Sequence, residues 1–281
     1  MKIIRSRSEM SKTSQALKKR GRAIGFVPTM GALHQGHISL VKQARQDTDI
    51  VVMSIFVNPL QFGPQEDFKK YPRDLKGDCK LAKAAGVDLL FHPDRREMYP
   101  EGASTCVRVE GLSDCLCGRF RPLHFRGVAT VVTKLFNIVR PDIAYFGQKD
   151  AQQAVIIKQL AKDLNIPVKI KVLPTIREKD GLALSSRNAY LNKQERRDAL
   201  VLFQALNLAK RLIKQGKRNS RYIINNIKKI INKKKTAKID YIEIVDPNNL
   251  KSLGFIRGKV LIALAVWIGK TRLIDNVIVN S

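Results

Sequence analysis

The chain has 281 residues, 44% of them hydrophobic, and a formal net charge of +28. This length and apolar content suffice for one large domain or two smaller ones, each with a buried core. No run of about 18 apolar residues occurs, so we expect no membrane span. The charged start lacks the apolar stretch of a secretory signal.

The positive charge could attract nucleic acid or anionic substrates. Its lysines lie in runs such as Lys233-Lys234-Lys235, without the interleaved aromatic side chains on which bases stack. We therefore expect a solvated basic face and no specific nucleic-acid partner. A basic nucleic-acid-binding protein with a degenerate nucleotide fold stays open as an alternative.

The four cysteines are Cys79, Cys106, Cys115 and Cys117. The Cys115-Leu116-Cys117 segment lacks both the two-residue spacer and the second pair that a zinc site uses. We expect four reduced thiols and a cytoplasmic protein, with a redox or metal pair as the less favoured alternative.

The predicted elements begin with a helix within residues 1–20 and a buried strand at 24–27. A ten-residue turn follows at 28–37, and the apolar residues within 38–44 then recur at helical spacing. This arrangement predicts a buried strand, a glycine-containing turn and a helix in direct succession.

Two histidines stand where this turn would present them to a ligand. His37 begins the helix, where unpaired backbone N–H groups favour an anion, and His34 lies one turn earlier. Gly31 has no Cβ, so the backbone can approach a ligand there. Imidazoles and N–H groups that face one point suit the charge that builds on an α-phosphate during displacement. A glycine turn with two surface histidines is the alternative.

Buried strands then alternate with amphipathic helices up to residue 173. This alternation predicts an α/β fold, a doubly wound parallel sheet with helices on both faces. Ligands bind beyond the carboxyl ends of the strands in such sheets. The pattern predicts strands at 49–57, 86–91, 143–146 and 168–173, a short possible strand at 107–109, and helices at 75–85, 128–139 and from the turn at 147–150 to residue 164.

The chain changes character near Thr175. This pattern indicates a small α+β domain, so we expect a first domain at 1–175 and a C-terminal lid domain at 176–281. The predicted elements are helices at 193–214 and 220–233, strands at 239–245, 259–268 and 272–279, and a hairpin turn at 269–271.

Three loops carry polar groups that suit phosphate. Residues 119–126 hold three arginines and a histidine, which form a candidate anion clamp or a surface loop of a basic protein. Lys149 follows a strand in a glycine turn, where it can reach phosphate oxygens as a point charge. Residues 177–188 combine glycine, charge and hydroxyls without periodicity, which indicates a mobile ligand loop.

Five motifs stand in order: Pro-Thr-Met-Gly-Ala-Leu-His-x-Gly-His at 28–37, Phe-Val-Asn-Pro-x-Gln-Phe at 56–62, Arg-Pro-x-His-Phe-x-Gly-Val at 121–128, Phe-Gly-x-Lys-Asp-x-Gln-Gln at 146–153 and Leu-Ser-Ser-Arg-Asn at 184–188. The first resembles the signature of the nucleotidyltransferase superfamily. Together the five resemble the pantothenate synthetase family, also called the pantoate–β-alanine ligases, most strongly over residues 24–190.

This resemblance implies a Rossmann-like domain and an ATP-dependent ligase that condenses pantoate with β-alanine to pantothenate. The reaction would pass through a pantoyl adenylate and release AMP and pyrophosphate, in the route to coenzyme A. The resemblance also implies Mg²⁺ carried by the ATP phosphates, with no protein ligand assigned, and a cytoplasmic homodimer.

The resemblance assigns roles to residues at the matching positions. Catalysis would fall to His37, His34 and Lys149. Pantoate and β-alanine would be bound by Gln61, Gln153 and Asn58. ATP would be bound by Met30, Gly31, Ala32, Leu33, His34, Gln35, Gly36, His37, Gly147, Gln148, Lys149, Asp150, Ile176, Leu184, Ser185, Ser186 and Arg187.

Two positions depart from the family pattern without removing a reacting group. Leu184 stands where methionine is more usual, and Leu123 stands where glycine is frequent. A plain nucleotidylyltransferase that acts on another small acceptor is the alternative function. It would share the histidine turn, but it would not need amides such as Gln61 and Gln153, which can donate to a carboxylate and accept from a hydroxyl.

Overall fold

The computed structural model describes residues 1–64 and 66–281, which form two compact units. The first unit comprises Met1–Ser113, Arg121–Gly147 and Ile156–Pro174, and the second comprises Asp114–Phe120, Gln148–Val155 and Thr175–Ser281. Within these ranges no helix is long and apolar enough to cross a membrane.

A parallel sheet forms the centre of the first unit. Over the described residues its strands are β1 (Lys2–Ile4), β2 (Ile24–Thr29), β3 (Ile50–Ile55), β4 (Leu89–Phe91), β5 (Ile143–Gly147) and β6 (Lys169–Leu173), and they lie in the order β1-β4-β3-β2-β5-β6. The chain steps from β2 through β3 to β4 on one side, and it later places β5 on the other side of β2. The winding therefore switches direction between β2 and β5, where open α/β sheets bind ligands. The predicted α/β class is confirmed.

Helices join these strands and flank the sheet. They are α1 (Arg7–Lys19), α2 (Gln35–Asp47), α3 (Leu75–Ala85) and α4 (Arg95–Met98), then, after α5 (Cys117–Phe120), which belongs to the second unit, α6 (His124–Val139) and the part of α7 (Ala151–Asp163) from Ile156 onward. The apolar face predicted for residues 128–139 is buried on α6, where Phe136 meets Phe26 of β2 edge-on with 6.5 Å between ring centroids.

Three predictions of secondary structure are wrong or incomplete. Residues 107–109 form no strand, because the Val107 N–H donates to the Thr130 hydroxyl at 2.9 Å instead of to a neighbouring strand. Strand β1 was not predicted, since three residues are too few to show a period. The helix predicted at 193–214 is divided at Leu200.

The second unit contains an antiparallel sheet. In the described chain its strands are β7 (Ala237–Val245), β8 (Lys259–Ile268) and β9 (Thr271–Asn280), in that order, with α8 (Lys193–Ala199), α9 (Val201–Lys214) and α10 (Ser220–Ile231) before them. Only residues 269 and 270 separate β8 from β9, as expected for a tight hairpin. The apolar faces of α9 and α10 share one buried core with the sheet, in which Leu206, Ile227 and Ile262 lie.

Candidate active site

The helix after the central strand is capped by its own histidines. His34 is the N-cap of α2, and its Nδ1 atom accepts the Gly36 N–H at 3.1 Å. The Nδ1 atom of His37 accepts the His34 N–H at 3.3 Å, and the two ring centroids are 4.1 Å apart. The pair thus forms a capping box in which imidazoles replace the usual hydroxyl and carboxylate.

The capping contacts determine which nitrogen of each ring carries the proton. Because both Nδ1 atoms accept backbone hydrogen bonds, each neutral ring is protonated on Nε2. A proton on Nδ1 would set two donors against each other and would break the cap. In this tautomer Nε2–H is the donor of each ring, and both rings lie beside a helix N-terminus that itself favours an anion. This arrangement can bind phosphate oxygens and stabilise charge that develops on them.

A buried carboxylate holds the turn between β2 and α2. Gly31 and Ala32 have φ angles of +84° and +50°, a conformation that costs free energy for a residue with a Cβ. Asp78 of α3 compensates, because its Oδ2 atom accepts the Ala32 N–H at 2.9 Å and its Oδ1 atom accepts the Leu33 N–H at 2.7 Å. A Cβ at position 31 would lie 2.8 Å from Asp78 Oδ2, so the close approach requires glycine.

Burial raises the pKa of Asp78 above its ordinary value, although the two N–H donors oppose that shift. The side chain is only 5% exposed. Sequence reasoning missed this residue, and the available signal was a carboxylate on a helix face that is otherwise apolar. Asp78 is the group that sets the backbone of the nucleotide turn predicted at 28–37.

Two amides predicted to bind the acid substrates lie together after β3. Asn58 caps a 3₁₀ turn at Pro59–Gln61, and it is 1% exposed while Gln61 is 8% exposed. Asn58 Nδ2 donates to Gln61 Oε1 at 3.1 Å, and Asn58 Oδ1 accepts the Tyr99 hydroxyl at 2.9 Å. Gln61 Nε2 donates to Met30 Sδ at 2.9 Å, which places this amide beside the first motif.

A glycine lets helix α6 approach the 3₁₀ turn. A Cβ at Gly127 would lie 2.2 Å from the Leu60 carbonyl oxygen and 2.6 Å from the Gln61 nitrogen. At this close approach the Gly127 carbonyl accepts a hydrogen bond from Asn58 Nδ2 at 3.0 Å. The glycine of the third motif is therefore required by backbone contact with the second.

The arginine–histidine segment of the third motif supports the same turn. His124 Nδ1 lies 2.8 Å from the Gln61 carbonyl oxygen, and Arg121 Nη2 donates to that oxygen at 3.3 Å. Arg121 also binds Glu66 through Nε at 2.8 Å and Nη2 at 2.5 Å. Burial works against ionisation of Glu66, but the Arg121 hydrogen bonds and charge outweigh it and lower the pKa of Glu66.

Carboxylates already pair with two of the arginines in the predicted anion clamp. Arg121 pairs with Glu66, and Arg119 Nη1 lies 3.2 Å from Glu243 Oε1. The anion clamp stays a prediction, and an anion that binds there would compete with these two carboxylates. Arg121 and His124 also hold the Gln61 carbonyl.

Lys149 lies in a 3₁₀ turn at Gln148–Asp150, directly after β5 ends at Gly147. Its ammonium is 3.7 Å from Asp150 Oδ1, and its side chain is 21% exposed. Asn276 of β9 donates from Nδ2 to the carbonyl oxygens of Gln148 at 2.9 Å and Lys149 at 2.8 Å. Sequence reasoning missed Asn276, although a polar pair inside an apolar strand was a visible signal.

The two adjacent glutamines of the fourth motif differ in their surroundings. Gln152 is 6% exposed; its Oε1 atom accepts the Cys117 N–H at 2.9 Å, and its Nε2 atom donates to the Cys115 carbonyl at 2.8 Å. Gln152 therefore ties the 114–120 segment to α7. Gln153, the predicted substrate residue, is half-buried on the same helix.

The segment predicted as a ligand loop has regular local structure. The Leu184 N–H donates to the Ile176 carbonyl at 3.0 Å, and Arg177 forms a bridge with Ala183. Ser185 caps a 3₁₀ helix at Ser186–Tyr190 and accepts the Arg187 N–H at 3.3 Å. These contacts do not test whether residues 177–188 form a mobile ligand loop, which stays a prediction.

The fold and the histidine turn define a class of protein. A parallel sheet whose central strand leads into a helix capped by two imidazoles is a Rossmann-like nucleotide-binding arrangement. The loops after β2 and β3 lie at the carboxyl edge of the sheet, where β5 also ends beside β2.

Comparison with known proteins narrows this class. A family model described as pantoate-beta-alanine ligase matches residues 2–278. A pantothenate synthetase from Caldicellulosiruptor bescii is 54% identical over 281 residues, covering 100% of both chains. The crystal structure of pantothenate synthetase from Thermus thermophilus matches with a TM-score of 0.94 and 44% identity, covering 99% of each chain.

A third similar protein has a structure with ligands. The pantoate-beta-alanine ligase from Francisella tularensis, complexed with beta-gamma ATP and beta-alanine, matches with a TM-score of 0.82 and 38% identity. The match covers 99% of this chain and 97% of that one. The chain belongs to the pantoate-beta-alanine ligase family.

Proposed function

We propose that this chain condenses pantoate with β-alanine in two steps that consume ATP. In the first, a pantoate carboxylate oxygen attacks the α-phosphorus, the bond from that phosphorus to the bridging oxygen breaks, and pyrophosphate leaves. In the second, the β-alanine amine attacks the acyl carbon and loses a proton, and AMP leaves. Family membership supports this reaction, and the paired imidazoles that cap α2 are the structural observation that carries it.

The histidine turn suits the first step. The Nε2–H groups of His34 and His37 are neutral donors, and the backbone of residues 30–37 presents N–H groups at the start of a helix. Donors whose direction is fixed beforehand stabilise developing negative charge without reorganising. We assign these residues to the triphosphate, and we assign the ammonium of Lys149 to phosphate oxygens as a point charge.

The amides suit a hydroxy acid. Gln61 and Gln153 would bind pantoate, since an amide can donate to a carboxylate and accept from a hydroxyl. Both ends of the Asn58 amide are engaged by Gln61, Gly127 and Tyr99, so we assign Asn58 the task of orienting Gln61. The second step needs an active site that excludes water, because an acyl adenylate hydrolyses.

We assign the other residues predicted to bind ATP to its adenine and phosphates. Ile176 would contact the adenine through its backbone, and residues 184–187 would lie over the phosphates. Gln148 and Asp150 would adjoin the nucleotide beside Lys149, and Gly147 leaves room at the strand end, where a Cβ would meet no atom within 4 Å.

Mg²⁺ fits this chain as an ion carried by the nucleotide. Among residues 1–64 and 66–281 no group of three metal-ligating side chains exists, and Mg²⁺ commonly binds through phosphates, waters and one or two carboxylates. Asp150, whose side chain is 47% exposed, is the carboxylate we assign to it. The ion would supply neutralisation of phosphate charge.

We also propose a cytoplasmic homodimer without a specific nucleic-acid partner. Cys79, Cys106, Cys115 and Cys117 are not joined in disulfides in the described chain, which supports a reducing compartment, and the family resemblance supports the dimer. Light scattering should give twice the 31.7 kDa chain mass.

Omission of each substrate in turn tests the reaction. Pyrophosphate should appear in a single-turnover burst with ATP and pantoate alone, whereas continuous AMP release should require β-alanine as well. Pyrophosphate release that needs a phosphorylated acceptor and ignores pantoate would instead favour a nucleotidylyltransferase.

A further inference from the structure

The last strand carries a polar pair inside an apolar sequence. Asp275 and Asn276 are 2% and 5% exposed, and they are followed in β9 by Val277, Ile278 and Val279. A buried amide or carboxylate costs free energy unless its hydrogen bonds are made. The hydrogen-bond partners of Asp275 and Asn276 therefore indicate which part of the chain the pair stabilises.

The side-chain amide of Asn276 makes its hydrogen bonds to the 3₁₀ turn at Gln148–Asp150. Its Nδ2 atom donates to the carbonyls of Gln148 and Lys149, at 2.9 and 2.8 Å, and its Oδ1 atom accepts from Gln148 Nε2 at 3.0 Å. A single 3₁₀ turn has few hydrogen bonds of its own. Asn276 thus supplies an external hold on the backbone from which the Lys149 side chain extends.

The neighbouring carboxylate fixes Asn276 and a second segment. Asp275 accepts from Arg177 at both oxygens, at 2.7 and 2.9 Å, and its Oδ1 atom also accepts the Asn276 N–H at 2.8 Å. Arg177 in turn donates to the Gly181 carbonyl at 3.0 Å. A bidentate, nearly buried pair of this kind has little freedom to reorient.

We propose that Asn276 is a positioning residue for adenylation, which acts through Lys149 by holding the carbonyls of residues 148 and 149. This inference rests on the proposed role of Lys149 at the phosphates. A long side chain amplifies small backbone movements at its base, and a misplacement of about 1 Å can cost about 100-fold in rate. The donors of an amide are essential here, because the oxygens of an aspartate would face two carbonyls.

A double-mutant cycle tests this inference on the full-length protein. The variants are Asn276→Ala, Lys149→Ala and the double variant, each measured by single-turnover pyrophosphate release with ATP and pantoate. We expect Asn276→Ala to slow adenylation by about 10- to 100-fold. In the Lys149→Ala background the same change should slow it by less than about twofold, since residues that act as a unit are not additive.

Two further variants separate positioning from folding. Asn219→Ala is the matched control, because Asn219 caps α10 in the same unit through the Tyr222 N–H at 2.9 Å. It should lower the melting temperature and leave the adenylation rate unchanged. Asn276→Asp keeps the side-chain shape and loses both donors; if Asn276→Ala does not fold, it takes that variant's place in the cycle with the same expected loss.

The outcomes distinguish the inference from the function on which it rests. Losses that multiply in the double variant, or a folded Asn276→Asp variant with the rate of the unmodified chain, would overturn the positioning role. A Lys149→Ala variant that keeps the full adenylation rate would instead remove the proposed role of Lys149.

Discussion

Two amide substitutions at His37 separate its capping role from its donor role. In the structure, Nδ1 accepts the His34 N–H, which leaves Nε2–H as the donor. His37→Asn places an amide oxygen near the Nδ1 position and offers nothing at Nε2. His37→Gln reaches the Nε2 position with an NH₂ donor when its amide is turned away from the His34 N–H that it could otherwise cap.

The structure gives different magnitudes for the two losses. The capping hydrogen bond is long, at 3.3 Å, so its loss should cost only about 0.5 kcal/mol of folding stability. Loss of a fixed donor to a developing charge costs about 2.7–4 kcal/mol, or about 100- to 1,000-fold in rate. We expect His37→Asn to be stable and slow by that factor. We expect His37→Gln to be slightly less stable and slow by only about tenfold.

The assay is single-turnover adenylation for rate and urea unfolding for stability, on both variants and the unmodified chain. The test is whether His37→Gln forms the adenylate faster than His37→Asn does. If His37→Asn were more active than His37→Gln, or if both variants kept the full rate, the Nε2–H donor would not be the group that assists the reaction. Equal inactivation of both would indicate that the imidazole transfers a proton.

Three further predictions concern residues that shape the site. Gly127→Ala should raise the KM for pantoate more than about tenfold and leave the KM for ATP unchanged, because its Cβ would overlap the Leu60 carbonyl. Gly254→Ala is the control, since its Cβ would meet no atom within 4 Å, and equal effects of the two substitutions on the KM for pantoate would refute the argument. The free energy of unfolding of the unmodified chain, relative to that of Asp78→Asn, should fall as pH rises from about 4. The raised pKa of Asp78 means that its charged form is less favourable in the folded state. Urea unfolding at several pH values tests this, and a difference in unfolding free energy that did not change with pH would contradict it. Leu123→Gly should stabilise the chain by up to about 1 kcal/mol in thermal unfolding, because Leu123 has φ +72° and is 60% exposed, and a destabilised variant would show that the strain argument fails.

Elements with clear end signals could be predicted from the sequence. Helix α3 runs from Leu75 to Ala85 as predicted, since Asp74 caps its start and Gly86, with φ +94°, ends it. The alternation of buried strands and amphipathic helices also predicted the parallel sheet. Local hydrogen-bonding and steric preferences determine these features, so they can be read from neighbouring residues.

The groups that support the site could not be predicted in this way. Asp78 binds the amides of residues 32 and 33, and Asn276 binds carbonyls at 148 and 149. These contacts join residues far apart in the chain, and they depend on register and side-chain direction that no local pattern reports. Which ring nitrogen of His34 and His37 accepts the capping hydrogen bond likewise depends on side-chain geometry.

Transfer of oxygen from pantoate to AMP tests the central claim most directly. Pantoate labelled with ¹⁸O in both carboxylate oxygens is converted with ATP and β-alanine, and the products are analysed by mass spectrometry. The account predicts one ¹⁸O atom in the phosphate of AMP and one in the amide of pantothenate. AMP without label, or label in inorganic phosphate or pyrophosphate, would contradict a pantoyl adenylate.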